Sequence, residues 1–329
     1  MSIHDVAQPY AREIGLLLAA GLSSRDAYGC IARSIEVGVS SLEQAIADRL
    51  ADEEAAYRAL ADFLDLPFTM QKLNVASDAP WPDAATKGVA PLKASARGWR
   101  FAIAPRGRIL AQLIAWDLRR PSGGLVMTTP TRLECDVLAA CANAAQLDAS
   151  HGLPDRSPLD SFRNGLGARM TGVLIAGTAV CLTLFAWSPS IGATILSLSV
   201  SVLFLANVML RLAAVLSDWP AGRDFPMLPE RDLPIYTVLV PLYHEAAIAK
   251  RLSAALRALD YPPAKLDIKI LLEADDHETR SAFEACDLPT WISLVVTPPG
   301  VPRTKPRALN VGLATARGEL LAVYDAEDR

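Results

Sequence analysis

Three carboxylates stand close together near the end of the chain, on Asp325, Glu327 and Asp328. The residues just before them, 320–324, are apolar and typical of a buried strand. Carboxylates at the carboxyl end of a strand lie where open α/β sheets bind ligands, and their oxygens suit a hard divalent cation. Such a cation can hold the phosphates of a nucleotide. We therefore predict that these three residues bind Mg²⁺ or Mn²⁺.

Other polar side chains follow a second predicted strand and begin a predicted helix. Asp275 and Asp276 come after the predicted strand at residues 266–272 and can accept hydrogen bonds from a base or a ribose. Lys305 enters a helix N-terminus, where its charge and the helix dipole together favour a phosphate. Each signal is weak alone, because an Asp-Asp pair is usually a helix cap and a lone lysine is usually solvated. An acidic run at a strand end can also be an ordinary turn.

The residues from 232 onward alternate between strand-like and helix-like segments. The predicted strands are residues 236–240, 266–272, 291–296 and 320–324, and the predicted helices are residues 245–259, 277–286 and 304–316. This alternation predicts an α/β fold with a Rossmann-like parallel sheet. In such a sheet the carboxyl ends of the strands converge on one crevice, which would collect the polar side chains named above.

The same segment resembles the GT-A domain of family 2 glycosyltransferases, the processive-type relatives of cellulose synthase. The phrases that carry the resemblance are Val-Pro-Leu-Tyr-His-Glu at 240–245, Asp-Asp at 275–276, Thr-Lys-Pro-Arg-Ala-Leu-Asn at 304–310 and Tyr-Asp-Ala-Glu-Asp at 324–328. The resemblance implies a UDP- or GDP-sugar donor, a divalent metal and an inverting displacement. The donor-binding residues expected from these phrases are Pro241, Tyr243, Glu245, Asp275, Asp276 and Lys305.

The sequence departs from this family pattern in several places. Glu327 stands where the metal motif usually has a second Asp, and His277 follows the acidic pair where Gly or Ser is usual. The family's general base lies further along the chain than Arg329, so no catalytic residue is assigned. We therefore expect an incomplete sheet, the donor-binding half of a longer enzyme truncated at its C-terminal side. Little transferase activity is expected from it, since a missing general base costs about 10²–10⁴-fold in rate.

Two long apolar segments precede this region. Residues 170–187 and 191–210 carry no charged side chain, and about 20 residues of helix cross the roughly 30 Å hydrocarbon core of a bilayer. The connecting residues 188–190 hold no Lys or Arg, whereas arginines flank both segments. The positive-inside rule therefore predicts a multi-pass transmembrane hairpin in the inner (cytoplasmic) membrane, with both flanking regions cytoplasmic. The alternative is a pair of buried helices in a large soluble core.

The first 75 residues predict a compact helical unit. Short apolar-periodic helices are separated by turns, and Ser40 with Glu43 matches a capping box. The residues resemble the N-terminal domain of type II secretion ATPases, and the phrases that carry the likeness are residues 17–22 and 51–68. Some members of that domain family bind cyclic-di-GMP. A cyclic-di-GMP site and a docking site for a protein partner are both left open.

Residues 76–155 predict a small α/β subdomain. Its first part, residues 77–89, is rich in turn-forming residues and is interpreted as a linker. Arg106 and Arg108 at a strand–helix turn could hold an anion, although a solvated basic surface is the simpler interpretation. The predicted organisation is a helical domain at 1–75, the small subdomain at 76–155, the membrane segment at 165–217 and the nucleotide-sugar domain at 232–329.

Composition limits the remaining classes of function. The formal net charge of −4 provides no electrostatic footprint for nucleic acid. The five cysteines form no Cys-x-x-Cys pair and the four histidines are dispersed, so no zinc site or disulfide framework is indicated. The main interpretation is a membrane-bound glycosyltransferase acting on a polysaccharide or other glycan. The alternative is a membrane signalling or docking protein with a degenerate sugar-nucleotide domain. A Rossmann-type dehydrogenase is disfavoured, because no Gly-x-Gly-x-x-Gly follows a predicted strand.

Overall fold

A computed structural model of the chain describes residues 10–94, 97–115, 123–161, 165, 167–217 and 227–325. The chain divides into two compact units, one formed by Met1–Gly152 together with Leu228–Arg329 and the other by Leu153–Met227. The first unit therefore joins segments that the sequence pattern suggested as separate domains.

From residue 10, where the described part of the chain begins, the first unit has four short helices. They are α1 (Ala11–Ala19), α2 (Ser24–Val37), α3 (Ser41–Ala47) and α4 (Glu53–Phe63). Ser23, Ser40 and Asp52 cap the last three by accepting a backbone N–H in the first turn, which satisfies a donor that the helix itself leaves unpaired. Gly38 ends α2 with a φ of 77°, a backbone conformation that glycine adopts without strain.

A small three-stranded sheet follows these helices. The strands of this sheet and the helices around them are, in chain order, α5 (Asp83–Thr86), β1 (Val89–Pro91), β2 (Phe101–Ile103), α6 (Gly107–Ala115), β3 (Leu125–Met127), α7 (Pro130–Ala140) and α8 (Ala142–Arg156). β1 pairs antiparallel with β2, and β2 pairs parallel with β3. Residues 77–89 are not an extended linker, because they hold α5 and bury Ala79 and Ala84 in the core of this sheet.

The second unit contains two long apolar helices, α9 (Ala168–Trp187) and α10 (Pro189–Leu216). Both are long and apolar enough to cross a membrane, which agrees with the two predicted spans. The second helix continues to Leu216, past the charged Arg211 where the apolar run ends. The ring of Phe185 packs on Gly192, where a Cβ would come within 2.9 Å of it.

The C-terminal part of the first unit is a four-stranded parallel sheet in the order β6-β5-β4-β7. Its elements are β4 (Tyr236–Leu242), α11 (Ala249–Arg257), β5 (Leu266–Glu273), α12 (His277–Glu284), β6 (Ile292–Thr297), α13 (Lys305–Ala314) and β7 (Leu320–Val323). The predicted mixed α/β fold with a parallel sheet is confirmed. The alternation of strands and helices favours this fold, because neighbouring parallel strands need a crossover connection that is usually a helix.

Both faces of the central strands β4 and β5 are covered, as parallel sheets require. Strand β7 is at the edge of the sheet and leaves Leu320, Leu321 and Val323 exposed, so the buried strand expected at residues 320–324 is a strand but is not buried. On one face, Leu256 of α11 and Phe283 of α12 pack with Val238 and Ile268. On the other face, α13 packs beside residues from the N-terminal region. The apolar cluster on that face contains Leu138, Ala145, Ala149, Leu239, Leu271, Val295, Ala308 and Val311. Helices α7 and α8 are therefore part of the layer that buries the sheet.

Candidate functional site

A cavity of about 210 Å³ opens at the carboxyl ends of β4 and β5, beside the N-terminus of α13. It is lined by Pro241, Leu242, Tyr243, Glu273, Arg303, Thr304, Lys305 and Ala308. Three of the predicted donor-binding residues, Pro241, Tyr243 and Lys305, are therefore in its wall. Ligand pockets for small molecules usually measure about 300–1,000 Å³, so the described walls fit only part of a nucleotide.

Tyr243 presents an aromatic face at this cavity. It follows β4 directly, its side chain is half exposed, and its ring lies 4.0 Å from that of His244, centroid to centroid. His244 adopts a φ of 58°, so the chain turns sharply after the strand. The turn leaves an aromatic surface on which a nucleobase can stack.

Lys305 and Asp325 meet at the same edge of the sheet. The lysine Nζ lies 2.5 Å from the Asp325 Oδ2, although the residues are 20 positions apart. Lys305 is the first residue of α13, and Asp325 comes two residues after β7. Both side chains are partly exposed, and such pairs contribute about 0–1 kcal/mol each. The pair can therefore separate at little cost when a stronger ligand for either group arrives.

Arg303 and Asp275 form a second ion pair beside the cavity. The distance from Nη1 to Oδ2 is 2.7 Å, and both side chains are about half exposed. Arg303 was not among the predicted site residues. The available signal was a second cation two positions before Lys305, in the loop that joins β6 to α13.

Asp276 is placed differently from its neighbour. Its side chain is buried, its Oδ1 accepts the N–H of Thr279 as the cap of α12, and its Oδ2 accepts the N–H of His244. Burial raises the pKa of this carboxyl, but the hydrogen bonds from His244 and Thr279 outweigh that effect and lower it. The helix cap, which was one of the two interpretations of the Asp-Asp pair, is the role that the contacts describe.

Glu273 lines the cavity from the end of β5, and two neighbouring side chains fix the position of its carboxylate. Its Oε2 lies 2.7 Å from Arg307 Nη2 and accepts the hydroxyl of Thr297 at 3.0 Å. Arg307 is only 2% exposed and also donates to the carbonyl of Pro298 at 2.7 Å. Glu273 and Arg307 are thus functional candidates that were not among the predicted donor-binding residues. The signal for Glu273 was its position two residues before the Asp-Asp pair, and Arg307 lies within the phrase at 304–310 that carries the resemblance.

The other predicted ligands are not gathered here. Glu245 uses its backbone N–H to bond Thr279 Oγ1, and its side chain is not in the cavity wall. Glu327 and Asp328 lie outside the described residues. Within the described part of the chain, no group of three or more His, Cys, Asp or Glu side chains is placed to hold a metal ion. The metal site at Asp325, Glu327 and Asp328 therefore stays a prediction.

Arg106, which the sequence suggested as an anion ligand, faces carboxylates instead. Its Nη1 lies 3.8 Å from Glu134 Oε2, and it shares a small polar pocket with Glu43 and Glu53. Burial raises the pKa of Glu53, and nearby Arg106 opposes that shift. This balance of charge does not favour an added anion. Binding of cyclic-di-GMP by residues 1–155 stays an untested prediction.

Comparison with known proteins identifies one informative similarity. Over 110 residues the chain is 30% identical to the probable glycosyltransferase YdaM of Bacillus subtilis (strain 168). The aligned segment covers 32% of this chain and 26% of that protein, so the chain spans about a quarter of its relative. No protein-family model matches the chain, and no solved structure matches it. The similarity supports a glycosyltransferase-like region within a chain that has a parallel α/β sheet.

Proposed function

We propose that this chain holds the donor-binding part of a membrane-bound glycosyltransferase, which transfers a sugar from a UDP- or GDP-sugar to a glycan acceptor with inversion. The observation that carries the proposal is the cavity at the strand ends, where Lys305 and Arg303 stand beside Asp325 and Asp275. The similarity to a probable glycosyltransferase supports the reaction class. The two long apolar helices support the membrane location.

Different residues around the cavity bind different parts of the nucleotide-sugar donor in this proposal. Tyr243 offers its exposed ring to the base, and Asp275 offers carboxylate oxygens to the ribose or base. Lys305 and Arg303 offer positive charge to the diphosphate, and Lys305 does so at a helix N-terminus. Both cations are paired with exposed carboxylates, so binding would exchange one ionic partner for another.

Asp325 would hold the divalent cation, together with Glu327 and Asp328. Its carboxylate is the oxygen donor that Mg²⁺ or Mn²⁺ prefers, and the fit rests on that chemistry. When bound, the metal stabilises the negative charge that develops on the departing nucleoside diphosphate. In the bound state Lys305 would pair with a phosphate oxygen, and the Asp325 carboxylate would bind the cation.

The test is nucleotide binding to the full chain in detergent, measured by isothermal titration calorimetry. UDP and GDP, each with Mg²⁺ or Mn²⁺, are expected to bind, and ATP serves as the competitor control. Lys305→Ala should weaken binding at least about tenfold, because a charge-assisted contact to phosphate contributes about 1.4 kcal/mol or more. Lys250→Ala, an exposed lysine on α11, is the matched control and should bind like the wild type. Equal weak binding of all three nucleotides, unaffected by Lys305→Ala, would overturn the proposal.

A further inference from the structure

Helix α8 belongs to the N-terminal region, yet it packs directly on the helix that forms one wall of the cavity. Ala145 and Ala149 of α8 lie in one apolar cluster with Ala308 and Val311 of α13. The side chain of Asn310 donates its Nδ2–H to the backbone carbonyl of Ala149 at 2.7 Å. Because Ala308 also lines the cavity, a single helix separates α8 from the candidate donor site.

Helix α8 also supports the loop between β6 and α13. The side chain of Gln146 packs on Gly300, so closely that a Cβ at position 300 would lie 2.6 Å from the Gln146 Cγ and Cδ. This loop carries Arg303, which pairs with Asp275 beside the cavity. Gln146 therefore contacts the segment that delivers one of the two cations of the candidate site.

The loop and α13 are joined to each other as well. Arg307, in the first turn of α13, donates to the carbonyl of Pro298 at the start of the loop and pairs with Glu273 in the cavity wall. The contacts of α8 thus reach both ends of one connected segment, residues 298–310. That segment holds Arg303, Thr304 and Lys305, three of the cavity-lining residues.

We propose that α8 is a positioning element of the nucleotide site, with Gln146 and the Ala149 carbonyl as its positioning groups. Nucleotide binding then orders α8, and loosening α8 weakens nucleotide binding by the same coupling free energy, as thermodynamic linkage requires. The N-terminal region thereby controls donor affinity through a packed contact rather than through a ligand of its own. This inference rests on the proposed function, since it needs a nucleotide in the cavity.

Hydrogen–deuterium exchange of the full chain in detergent tests the coupling without any substitution. On addition of UDP or GDP with Mg²⁺, exchange should slow in residues 298–311 and also in residues 142–152. Helix α2 lies far from α8 in the sequence and serves as the control for non-specific effects. Its exchange rate should not change on addition of nucleotide. Slower exchange in 298–311 with unchanged exchange in 142–152 would overturn the coupling. No binding and no slowing anywhere would overturn the proposed function, and the coupling with it.

Two variants test the positioning groups, and one provides a matched control. Gln146→Ala and Asn310→Ala should each weaken UDP or GDP binding about threefold or more, the range of couplings carried by residues that touch no ligand. Asn143→Ala, an exposed side chain one turn earlier on α8, should bind within about twofold of the wild type, since surface changes are near neutral.

A purely structural role would lower the thermal midpoint without changing the exchange response. The coupling predicts the reverse for Gln146→Ala: an unchanged midpoint, and loss of the nucleotide-dependent slowing in residues 142–152 while residues 298–311 still respond. If both variants bind nucleotide like the wild type and keep the α8 response, the positioning role is wrong.

Discussion

Lys269, in the middle of β5, forms an ion pair with Glu134 of α7, with 2.6 Å between Nζ and Oε1. The lysine side chain is 1% exposed, and Asp267 lies 3.7 Å from the same Nζ. Asp267 in turn accepts hydrogen bonds from Thr237 and Arg317. A buried charge network therefore connects the N-terminal region to the centre of the parallel sheet.

This network predicts that removal of Glu134 is severely destabilising. Glu134→Ala leaves Lys269 buried without its nearest partner and should lower the free energy of unfolding by about 3 kcal/mol. Replacing both residues by apolar ones, Glu134→Leu with Lys269→Met, should restore most of that loss, because Asp267 keeps Arg317 as its partner and no unpaired charge stays buried.

Denaturant unfolding of the full chain in detergent, followed by circular dichroism, provides the measurement. The control is Glu284→Ala, which breaks the exposed pair of Arg280 and Glu284 on α12 and should cost less than about 1 kcal/mol. Comparable losses in the free energy of unfolding for Glu134→Ala and Glu284→Ala would show that the buried pair contributes no more to stability than the exposed one.

Substitutions of the neighbouring Asp275 and Asp276 should affect different properties, nucleotide binding for the first and stability for the second. Asp276→Ala removes the cap of α12 and the acceptor of the His244 N–H, and should destabilise the protein by about 1–2 kcal/mol. Asp275→Ala removes only an exposed ion pair and should leave stability nearly unchanged, while it weakens nucleotide binding. Thermal midpoints and UDP or GDP titrations of both variants measure the two effects. A stable Asp276→Ala protein would contradict the structural assignment.

The pH dependence of stability should carry a contribution from Asp267. Burial opposes ionisation of this carboxyl, but Lys269 and Arg317 outweigh burial and lower its pKa from 3.8 to about 2. A folded-state pKa below the unfolded value adds stability above about pH 4, and that stability is lost as the pH falls through about 2. The contribution is of the order of 2 kcal/mol, at about 1.4 kcal/mol per pKa unit.

Denaturant unfolding between pH 5 and pH 2 checks this expectation. Asp267→Asn should be less stable than the wild type at pH 5, and the difference should shrink as the pH approaches 2. A constant difference between the two proteins across that window would show that Asp267 does not titrate as described.

The two apolar helices predict firm membrane association. The chain should stay in the membrane pellet after alkaline carbonate washing and be released by detergent. Val200→Arg places a charge in the middle of α10, which costs roughly 2.5–3.5 kcal/mol of insertion free energy, and should lower the pelleted fraction. Ser217→Arg, just past the end of α10, is the control and should pellet like the wild type. Release of the wild type by carbonate alone would be the contrary result.

Much of the parallel sheet was predictable from local pattern. The apolar runs that became β4 to β7 are bounded by turn residues and alternate with helical segments, and such signals do not depend on distant contacts. The site was predictable in part for the same reason: Pro241, Tyr243 and Lys305 stand at element ends, which converge in any sheet of this type.

The partners of these residues were not predictable in the same way. Arg303 was passed over because nothing in its own segment shows that it meets Asp275 across the strand ends. Asp275 and Asp276 look equivalent in sequence, and only the backbone around them decides that one is exposed and the other caps α12. The position of residues 77–89 in a core depends likewise on packing against other segments.

The amino-acid sequence by itself determined which segments are strands, which helices are apolar enough for a bilayer, and which polar residues stand at strand ends, because periodicity and chain direction are local properties. Only the tertiary structure decided that α7 and α8 cover the sheet, that Lys269 meets Glu134, and that Asn310 reaches Ala149. These pairs are separated by more than a hundred residues. Their contacts exist because a parallel sheet must bury both faces, and the chain filled one of them with its N-terminal region.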